Sequence, residues 1–263
     1  MPVRLEDDNL PATQIERPFR IKTTLGADAL LLNSFTGIER VSTPFRFDVE
    51  LLSTDPNIDM QGLLQKPAVI SIKLEDDTER HIHGLFSRIA LQEYGEDGYA
   101  VFRGELVPWV WFLTLYSNCR IFQNKSVTDI VEKVFKDRGF TDYKLNITGT
   151  YQPRDYCVQY RETDFNFISR LLEDEGIFYY FEQAEDKHTL VLADDKSAFA
   201  ACPHKAAARY TPALGDTKLD EDTVLSIEEE HKLNTGMTTH TDYDFTKPKT
   251  SLYSTISGPS YVS

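Results

Sequence analysis

The stretch VQYRETDFNFISRLLEDEGIFYYF, residues 158–181, decides the fold class. A group of apolar side chains in it recurs at the spacing of one helical face: Phe167, Ile168, Leu171 and Leu172. Thr163 stands before this group as a helix start, and Gly176 stands where a helix commonly ends. The aromatic run after Gly176 is typical of a strand. A helix that passes directly into a strand predicts an α+β unit.

The residues on either side extend this unit. Upstream, Ser126 and Asp129 have the spacing of a capping box, in a looser form, and Gly139 follows as a helix end. The apolar face predicted for this helix is Val127, Ile130, Val131, Val134 and Phe135. Downstream, residues 188–193 are predicted as a strand that follows the strand at 176–182. We therefore expect a mixed α+β unit over residues 111–200.

Residues 18–107 have a different, two-residue period. Phe45, Phe47, Val49 and Leu51 alternate with charged side chains, and residues 68–74 repeat this pattern. Long strands are also predicted over 80–93 and 99–106, with turn residues between them. Six or seven strands without a helix signal indicate a small antiparallel barrel or sandwich. Strand patterns return at 223–229 and 236–245, so two strand-rich regions flank the α+β unit.

The charge of the chain narrows the classes of partner. It has 28 Lys and Arg against 42 Asp and Glu, a net charge of −14. Phosphate-rich partners need clustered cations, so we expect no nucleic-acid partner and no anionic membrane surface. The longest apolar stretch, 107–115, is far below the roughly 20 residues of a membrane span. The first nine residues are acidic and predict no signal peptide, and residues 1–17 are expected to form a flexible arm.

The strongest candidate for a metal site is the pair His81 and His83. Two residues apart on a strand, they would present both imidazoles on one face. A closed zinc site needs four ligands, and no other motif supplies the remainder. The sequence therefore predicts two half-exposed histidines on a polar strand face, with no metal and no cofactor.

Two acidic runs, 173–175 and 228–230, are the candidates for the paired carboxylates of a glycoside hydrolase. Successive side chains on a helix diverge by about 100°, so neighbouring carboxylates do not face one another. Solvated charge is the predicted role of both runs. The negative charge at a helix C-terminus is locally unfavourable, and the sequence gives no functional reason for it.

Nucleophile motifs are absent from the sequence. Three cysteines, Cys119, Cys157 and Cys202, form no paired motif, which favours a reducing compartment. Cys119 adjoins Arg120 but has no local histidine as its base, so a buried structural thiol is predicted. An aromatic cluster is either a sugar-stacking platform or packing between domains, and packing is favoured: Trp109, Trp111, Phe112 and Tyr116.

Several runs together resemble one known family. They occur in the expected order along roughly residues 18–250: FTGIE at 35–39 followed by STPF at 42–45 as the first run, LVPWVWFL at 106–113, RIFQN at 120–124, the stretch at 158–181, and DYDF at 242–245 with Lys247 and Pro248. The chain resembles the N-terminal hub region of VgrG, the spike protein of type VI secretion systems, whose relatives are the hubs of contractile phage tails. Five such runs in order are far more specific than any one of them.

The resemblance implies a mainly β fold with two tube-type antiparallel β-barrel regions flanking a small mixed α+β unit. The implied domains are a first tube barrel over 18–110, the α+β unit over 111–200, and a connection with the start of a second barrel over 201–263. Further strands are expected after Leu252, so the second barrel is predicted to be truncated. None of the matching residues is a catalytic residue of the family, and no enzyme activity is expected.

The resemblance also implies an assembly. Three chains would carry six barrels in a ring that matches the hexameric Hcp tube, with a needle, baseplate components and effectors as further partners. Assembly in the bacterial cytoplasm would precede export by the secretion machine, out of the cell or into a target cell. Two alternatives remain: a carbohydrate hydrolase with carboxylates about 5–10 Å apart, and a glycan-binding module with an exposed aromatic patch.

Overall fold

The fold is seen in a computed structural model that describes residues 13–74, 77–94, 98–200, 207, 209–210, 223–224, 226–229 and 236–257. Residues 1–201 and 202–263 form two separate compact units. The predicted turns at 75–77 and 94–98 lie partly outside the described residues, and Cys202 lies entirely outside them. No helix among the described residues is long and apolar enough to cross a membrane.

The first unit begins with a six-stranded antiparallel sheet, and the mainly β fold class is confirmed. Its strands are β1 (Phe19–Thr23), β2 (Leu31–Arg40), β3 (Thr43–Ser53), β4 (Pro67–Lys73), β5 (Glu79–Tyr94) and β6 (Ala100–Val107). They lie in the order β1-β4-β5-β6-β3-β2. A one-turn helix that the sequence pattern did not indicate, α1 (Met60–Leu63), lies between β3 and β4.

The alternation in β3 places its apolar side chains in the core of the sheet. Phe45, Phe47, Val49 and Leu51 are all buried, as their two-residue period predicts. The ring of Phe47 lies over Gly37 of the neighbouring strand β2 so closely that a Cβ atom there would be 2.0 Å from Phe47 Cε1. A glycine at this position therefore makes room for the aromatic layer of the core.

The sheet curls so that its edge strands β1 and β2 approach, and the side chain of Gln14 joins them. Its Nε2 donates to the carbonyl oxygens of Ile21 and Leu30, both at 3.1 Å. Its Oε1 accepts from the backbone N–H groups of Ile21 at 2.9 Å and Leu32 at 3.0 Å. The predicted flexible arm, 1–17, is therefore anchored at Gln14, while residues 1–12 lie outside the described part.

The α+β part of the first unit, here called the module, follows a 3₁₀ helix at Trp109–Leu115. Its elements are β7 (Ser117–Phe122), α2 (Val127–Asp137), β8 (Tyr143–Asn146), β9 (Cys157–Thr163), α3 (Asp164–Asp174), β10 (Phe178–Gln183) and β11 (His188–Ala193), with a short 3₁₀ helix at Lys196–Ala198. Strands β10, β11 and β8 form one sheet, in which β11 and β8 are parallel. Strands β7 and β9 form a separate antiparallel ribbon.

The capping chemistry predicted for both helices is confirmed. Ser126 and Asp129 form a reciprocal capping box at the start of α2, and the Thr163 hydroxyl accepts from the N–H of Asn166 at the start of α3. Gly139 and Gly176 follow the helices with φ of 76° and 70°, the left-handed conformation that glycine adopts without strain. The caps thus fix both ends of each helix locally.

We expect Leu171→Ala to lower the free energy of unfolding by about 2–5 kcal/mol, the usual range for a buried leucine truncated to alanine. Leu171 on α3 is 1% exposed and belongs to the module core. Urea denaturation followed by circular dichroism measures the change. Leu115→Ala, at a leucine 61% exposed, is the control and should change stability by less than about 0.5 kcal/mol. Equal effects of the two changes would contradict the assigned helical face.

The second unit contains short paired strands among its described residues. Strands β12 (Arg209–Tyr210) and β13 (Thr223–Val224) pair in parallel, and β14 (Met237–His240) pairs antiparallel with β15 (Ser254–Ser257). The strands predicted at 223–229 and 236–245 are both shorter in the structure, because 226–229 and 241–245 are not in strands. A second tube barrel beginning here stays a prediction.

Candidate functional site

At the junction between the six-stranded sheet and the module, polar groups that are far apart in the sequence lie close together. The backbone N–H of Ser42 donates to the carbonyl of Tyr179 at 2.8 Å. The backbone N–H of His83, on β5, donates to Gln183 Oε1 at 3.0 Å. The Phe181 ring packs against both hydrophobic cores, 4.9 Å from the Phe45 ring centroid. Sheet and module therefore meet through specific contacts across β5, β10 and β11.

A pair of imidazoles lies at the centre of this junction. His83 Nδ1 and His188 Nδ1 are 2.9 Å apart, and both residues are buried. His188 Nε2 accepts from the backbone N–H of Trp109 at 2.9 Å. The rings of Phe45 and Phe181 meet His188 edge-on at centroid distances of 5.3 Å and 6.0 Å. Each histidine is thus held by polar contacts inside an aromatic enclosure.

Burial sets the protonation of this pair. It lowers the pKa of His83, against the opposing attraction of Asp186 and Asp142. It lowers the pKa of His188 to about 3, with a further contribution from His83. Both imidazoles are therefore neutral at neutral pH. A cavity of about 200 Å³ adjoins them, lined by residues of both sides that include Trp109, Phe140 and Lys187.

The prediction that both strand histidines are half-exposed is correct for His81 and wrong for His83. His81 is half-buried, with Nδ1 3.1 Å from Ser71 Oγ. His83 is 8% exposed because the module covers the face of β5 that a lone sheet would leave open. In the described part of the chain, no three His, Cys, Asp or Glu side chains are grouped so that they could hold a metal ion. The absence of a bound metal at His81 and His83 stays a prediction.

The aromatic cluster is predicted to pack between domains; the structure shows packing, with Trp109 in the module core. The indole of Trp109 stacks on Phe140 at 4.6 Å and meets Phe135 edge-on at 4.9 Å. Trp109 and Phe112 are 4% and 7% exposed, so neither offers a face to a sugar ring. Tyr116 is more exposed, but the Arg138 guanidinium lies over its ring at 4.0 Å. Trp109 thus joins the 3₁₀ helix to the module core.

A fully buried carboxylate, Asp164, ties several elements of the module together. Its Oδ1 accepts from Arg120 Nη2 at 2.7 Å and from Gln159 Nε2 at 2.8 Å. Its Oδ2 accepts from Arg138 Nε at 2.8 Å. The side chain has no solvent exposure, and two arginines compensate its charge. This network joins β7, β9, the end of α2 and the start of α3.

The first acidic run lies at the end of α3, where an arginine neutralises part of its charge. At the end of α3, Arg154 forms ion pairs with both Asp174 and Glu175, the latter at 2.7 Å. Glu173 and Asp174 are exposed, as the prediction of solvated charge requires, whereas Glu175 is half-buried. Arg154 also offsets the unfavourable negative charge at this helix C-terminus. Glu228 and Glu229 are exposed, and Glu230 lies outside the described residues.

The prediction of a buried thiol at Cys119 is wrong. Cys119 is exposed on the ribbon, while Cys157 is the buried cysteine. The side chain of Arg120 is committed to Asp164 and to Gln159, whose Oε1 accepts from Arg120 Nε at 2.8 Å. The alternation along β7 explains both facts, because it directs neighbouring side chains to opposite faces.

Comparisons with known proteins agree with the fold. Residues 38–260 match the family model described as "Phage tail baseplate hub (GPD)". The chain is 38% identical over 235 residues to the type VI secretion system spike protein VgrG1b of Pseudomonas aeruginosa, covering 89% of this chain and 31% of that protein. The chain thus spans about a third of the length of such curated relatives.

Two solved structures resemble this fold. One is an E. coli component of the type VI secretion system, described as similar to the T4 bacteriophage tail proteins gp27 and gp5. It has a TM-score of 0.63 and 24% identity, and the match covers 86% of this chain and 56% of that one. The other is a Francisella PdpA–VgrG complex, with a TM-score of 0.51, 14% identity, and coverage of 73% and 31%. At these identities the likeness concerns the fold.

Proposed function

The chain belongs to the phage tail baseplate hub family, and from this premise we propose that it is the structural hub of a type VI secretion spike. The observation that carries the proposal is the match to the hub family over residues 38–260. The identity of 38% to a spike protein of type VI secretion supports this branch of the family. In a longer polypeptide, this hub would cap the Hcp tube and carry the puncturing needle and effectors.

The proposed assembly is a ring of three chains, each with two tube barrels, matched to the six subunits of the Hcp tube. The curled sheet of residues 19–107 supplies the first barrel of each chain. Residues after 201 begin the second barrel, and residues 111–200 are the α+β unit between them. Ile38 on the edge strand β2 and Val41 in the turn after it are 54% and 49% exposed, which supports a contact along this edge.

The proposed role requires no catalysis, cofactor or metal. A carbohydrate hydrolase needs two facing carboxylates in a cleft, whereas Asp174 and Glu175 are held by Arg154. A glycan-binding platform needs exposed aromatic faces, whereas Trp109 and Phe112 are buried. No observation therefore favours either alternative over the hub. Export would occur through the secretion machine after assembly in the bacterial cytoplasm.

We expect this chain to be largely monomeric at micromolar concentration and to shift toward a trimer at higher concentration or higher salt. Interfaces below about 1,000 Å² are usually transient, and barrel sides alone bury less area than an intertwined needle would. Each chain also carries a net charge of −14, whose repulsion is screened beyond about 10 Å at 0.1 M salt. Sedimentation velocity over a concentration series measures the distribution.

A matched pair of variants tests which surface associates. Ile38→Asp places a charge on the exposed edge strand of the sheet, and we expect it to abolish the shift toward trimer. Ile121→Asp changes the same residue type at 60% exposure on the β7–β9 ribbon and should leave the shift intact. Binding to Hcp tubes should follow the same order. A tight twofold dimer, or equal effects of both changes, would contradict the proposed ring.

A further inference from the structure

The buried imidazole pair joins parts of the chain that are 105 residues apart. His83 belongs to β5 of the sheet and His188 begins β11 of the module. We propose that this pair is a proton-sensitive latch, which holds the module against the sheet while both imidazoles are neutral and loosens the junction when either is protonated.

The hydrogen bonds of the pair are compatible with one arrangement of its protons. A backbone N–H always donates, so the bond from Trp109 requires an unprotonated Nε2 on His188. The proton of a neutral His188 then lies on Nδ1 and is donated to His83 Nδ1. His83 in turn carries its own proton on Nε2. The chain of donors runs in one direction from Trp109 to His83.

An added proton breaks this chain at whichever ring receives it. On His188 the proton would occupy Nε2 and oppose the Trp109 N–H. On His83 it would occupy Nδ1 and oppose the Nδ1–H of His188. In both cases a hydrogen bond becomes a contact between two donors, in an enclosure that also disfavours charge. A fall in pH therefore weakens the contact between the sheet and the module.

The charged groups facing the pair are not sufficient to stabilise an imidazolium there. From the module, Asp142 and Asp186 attract a proton to His83, and Lys187 lines the same cavity. All three side chains are largely exposed to solvent. Strand β3 contributes Phe45, and β10 contributes Phe181 and the neutral Gln183. Burial outweighs the two carboxylates, and the pKa of each histidine is lowered.

The direction of the pH effect follows from the lowered pKa values of the two histidines. An unfolded histidine titrates near 6.5, whereas the pKa of His188 in the folded protein is about 3. Between these values the opened junction binds more protons than the closed one, so the free energy of opening the junction falls as the pH falls below about 6.5 and is nearly constant above it. Each proton taken up on opening multiplies the opening equilibrium constant by up to about tenfold per pH unit.

Hydrogen exchange of the intact chain tests the local effect. After correction for the intrinsic exchange rates, protection of the Ser42 and His83 amides, which bond across the junction, should fall at least about tenfold between roughly pH 7 and pH 5. Protection of Ile130, whose amide bonds to Ser126 at the start of α2, should stay unchanged over this range, because local opening of this helix end leaves the imidazole pair buried. Equal losses at all three amides would assign the pH effect to global unfolding and overturn the latch.

Substitutions test the titrating groups. The double variant His83→Asn and His188→Gln keeps amide groups that can hydrogen-bond but cannot take up a proton in this range, so it should lose the pH dependence at Ser42. His81→Asn, two residues away and half-exposed, is the control and should retain it. If the double variant keeps the wild-type pH dependence, the pair is not the latch.

Nuclear magnetic resonance of the wild-type chain gives an answer that does not depend on the variants folding. With ¹⁵N-labelled histidine, His188 should show a proton on Nδ1 and His83 a proton on Nε2 near neutral pH. A charged His188 in the native protein at about pH 6 would overturn the proposal.

Discussion

Replacing Asp164 with asparagine is expected to lower the free energy of unfolding by about 3–5 kcal/mol, the range for removing one partner of a buried ion pair. The carboxylate has no solvent exposure and receives donors from Arg120, Arg138 and Gln159 on its two oxygens. An asparagine of the same shape would turn an NH₂ group toward these donors and remove the buried negative charge that both guanidinium groups share. Urea denaturation near neutral pH measures the loss.

Asp137→Asn is the matched control for this change. Asp137 also pairs with Arg120, at 3.4 Å, but its side chain is 38% exposed. An exposed ion pair contributes at most about 1 kcal/mol, so the control should remain close to wild type. If Asp164→Asn were as mild as this control, the buried network would not stabilise the module, and its compensating role would be refuted.

Gln14→Leu is expected to lower the free energy of unfolding by about 4 kcal/mol. Leucine is similar in size but cannot hydrogen-bond, and four bonds would be lost: two to Ile21 of β1, one to Leu32 of β2 and one to Leu30 just before β2. A buried polar group left unpaired costs about 1–3 kcal/mol. The lower value applies to each of the four backbone groups if water reaches the space between β1 and β2. Thermal and urea unfolding measure the loss.

The exposed neighbour of Gln14 provides the control for the Gln14 substitution. Ile15 is 69% exposed, and Ile15→Ala should alter stability by less than about 0.5 kcal/mol. Hydrogen exchange adds a local measurement, because the Leu32 amide donates to Gln14 Oε1 and should lose its protection in the leucine variant. Unchanged protection at Leu32 would show that β1 and β2 stay joined by other means.

Local patterns were sufficient to locate four strands of the sheet, β3 to β6, and both long helices. The alternation in β3 and the capping box of Ser126 and Asp129 depend on residues close together in the chain. All residues that form such a pattern lie within one helix or strand. The structure therefore confirms these elements, and only their end residues differ slightly from the prediction. After residue 223 the same pattern predicts strands that are longer than the paired strands in the structure.

The polar contacts could not be predicted because each joins distant segments. His83 and His188 are 105 residues apart, and Arg120 and Asp164 are 44 apart. Ile82, His83 and Gly84 are all buried because β5 is covered on both faces, which alternation on a half-buried strand does not anticipate. One signal was available: His188 opens an otherwise largely apolar run that is buried throughout, where a polar side chain needs a partner.

Asp164 and Gln14 illustrate a second limit. An acidic residue in the first turn of a helix is favourable for the helix dipole alone, so Asp164 gave no sign of being buried. Gln14 lies in a polar segment that resembles a flexible arm. The role of each is set by hydrogen-bonding partners on other elements, and these partners come into contact only when the chain is folded.

The junction of sheet and module also has a mechanical consequence. No sheet of the described residues contains strands from both sides, and the contact consists of aromatic packing, the imidazole pair and individual hydrogen bonds. Under a pulling force, separate contacts of this kind break one after another. In a pair of hydrogen-bonded strands, by contrast, many backbone hydrogen bonds carry the force together. A load across the molecule would therefore part the two cores as intact bodies, with the chain after Val107 as the tether, before either sheet unravels.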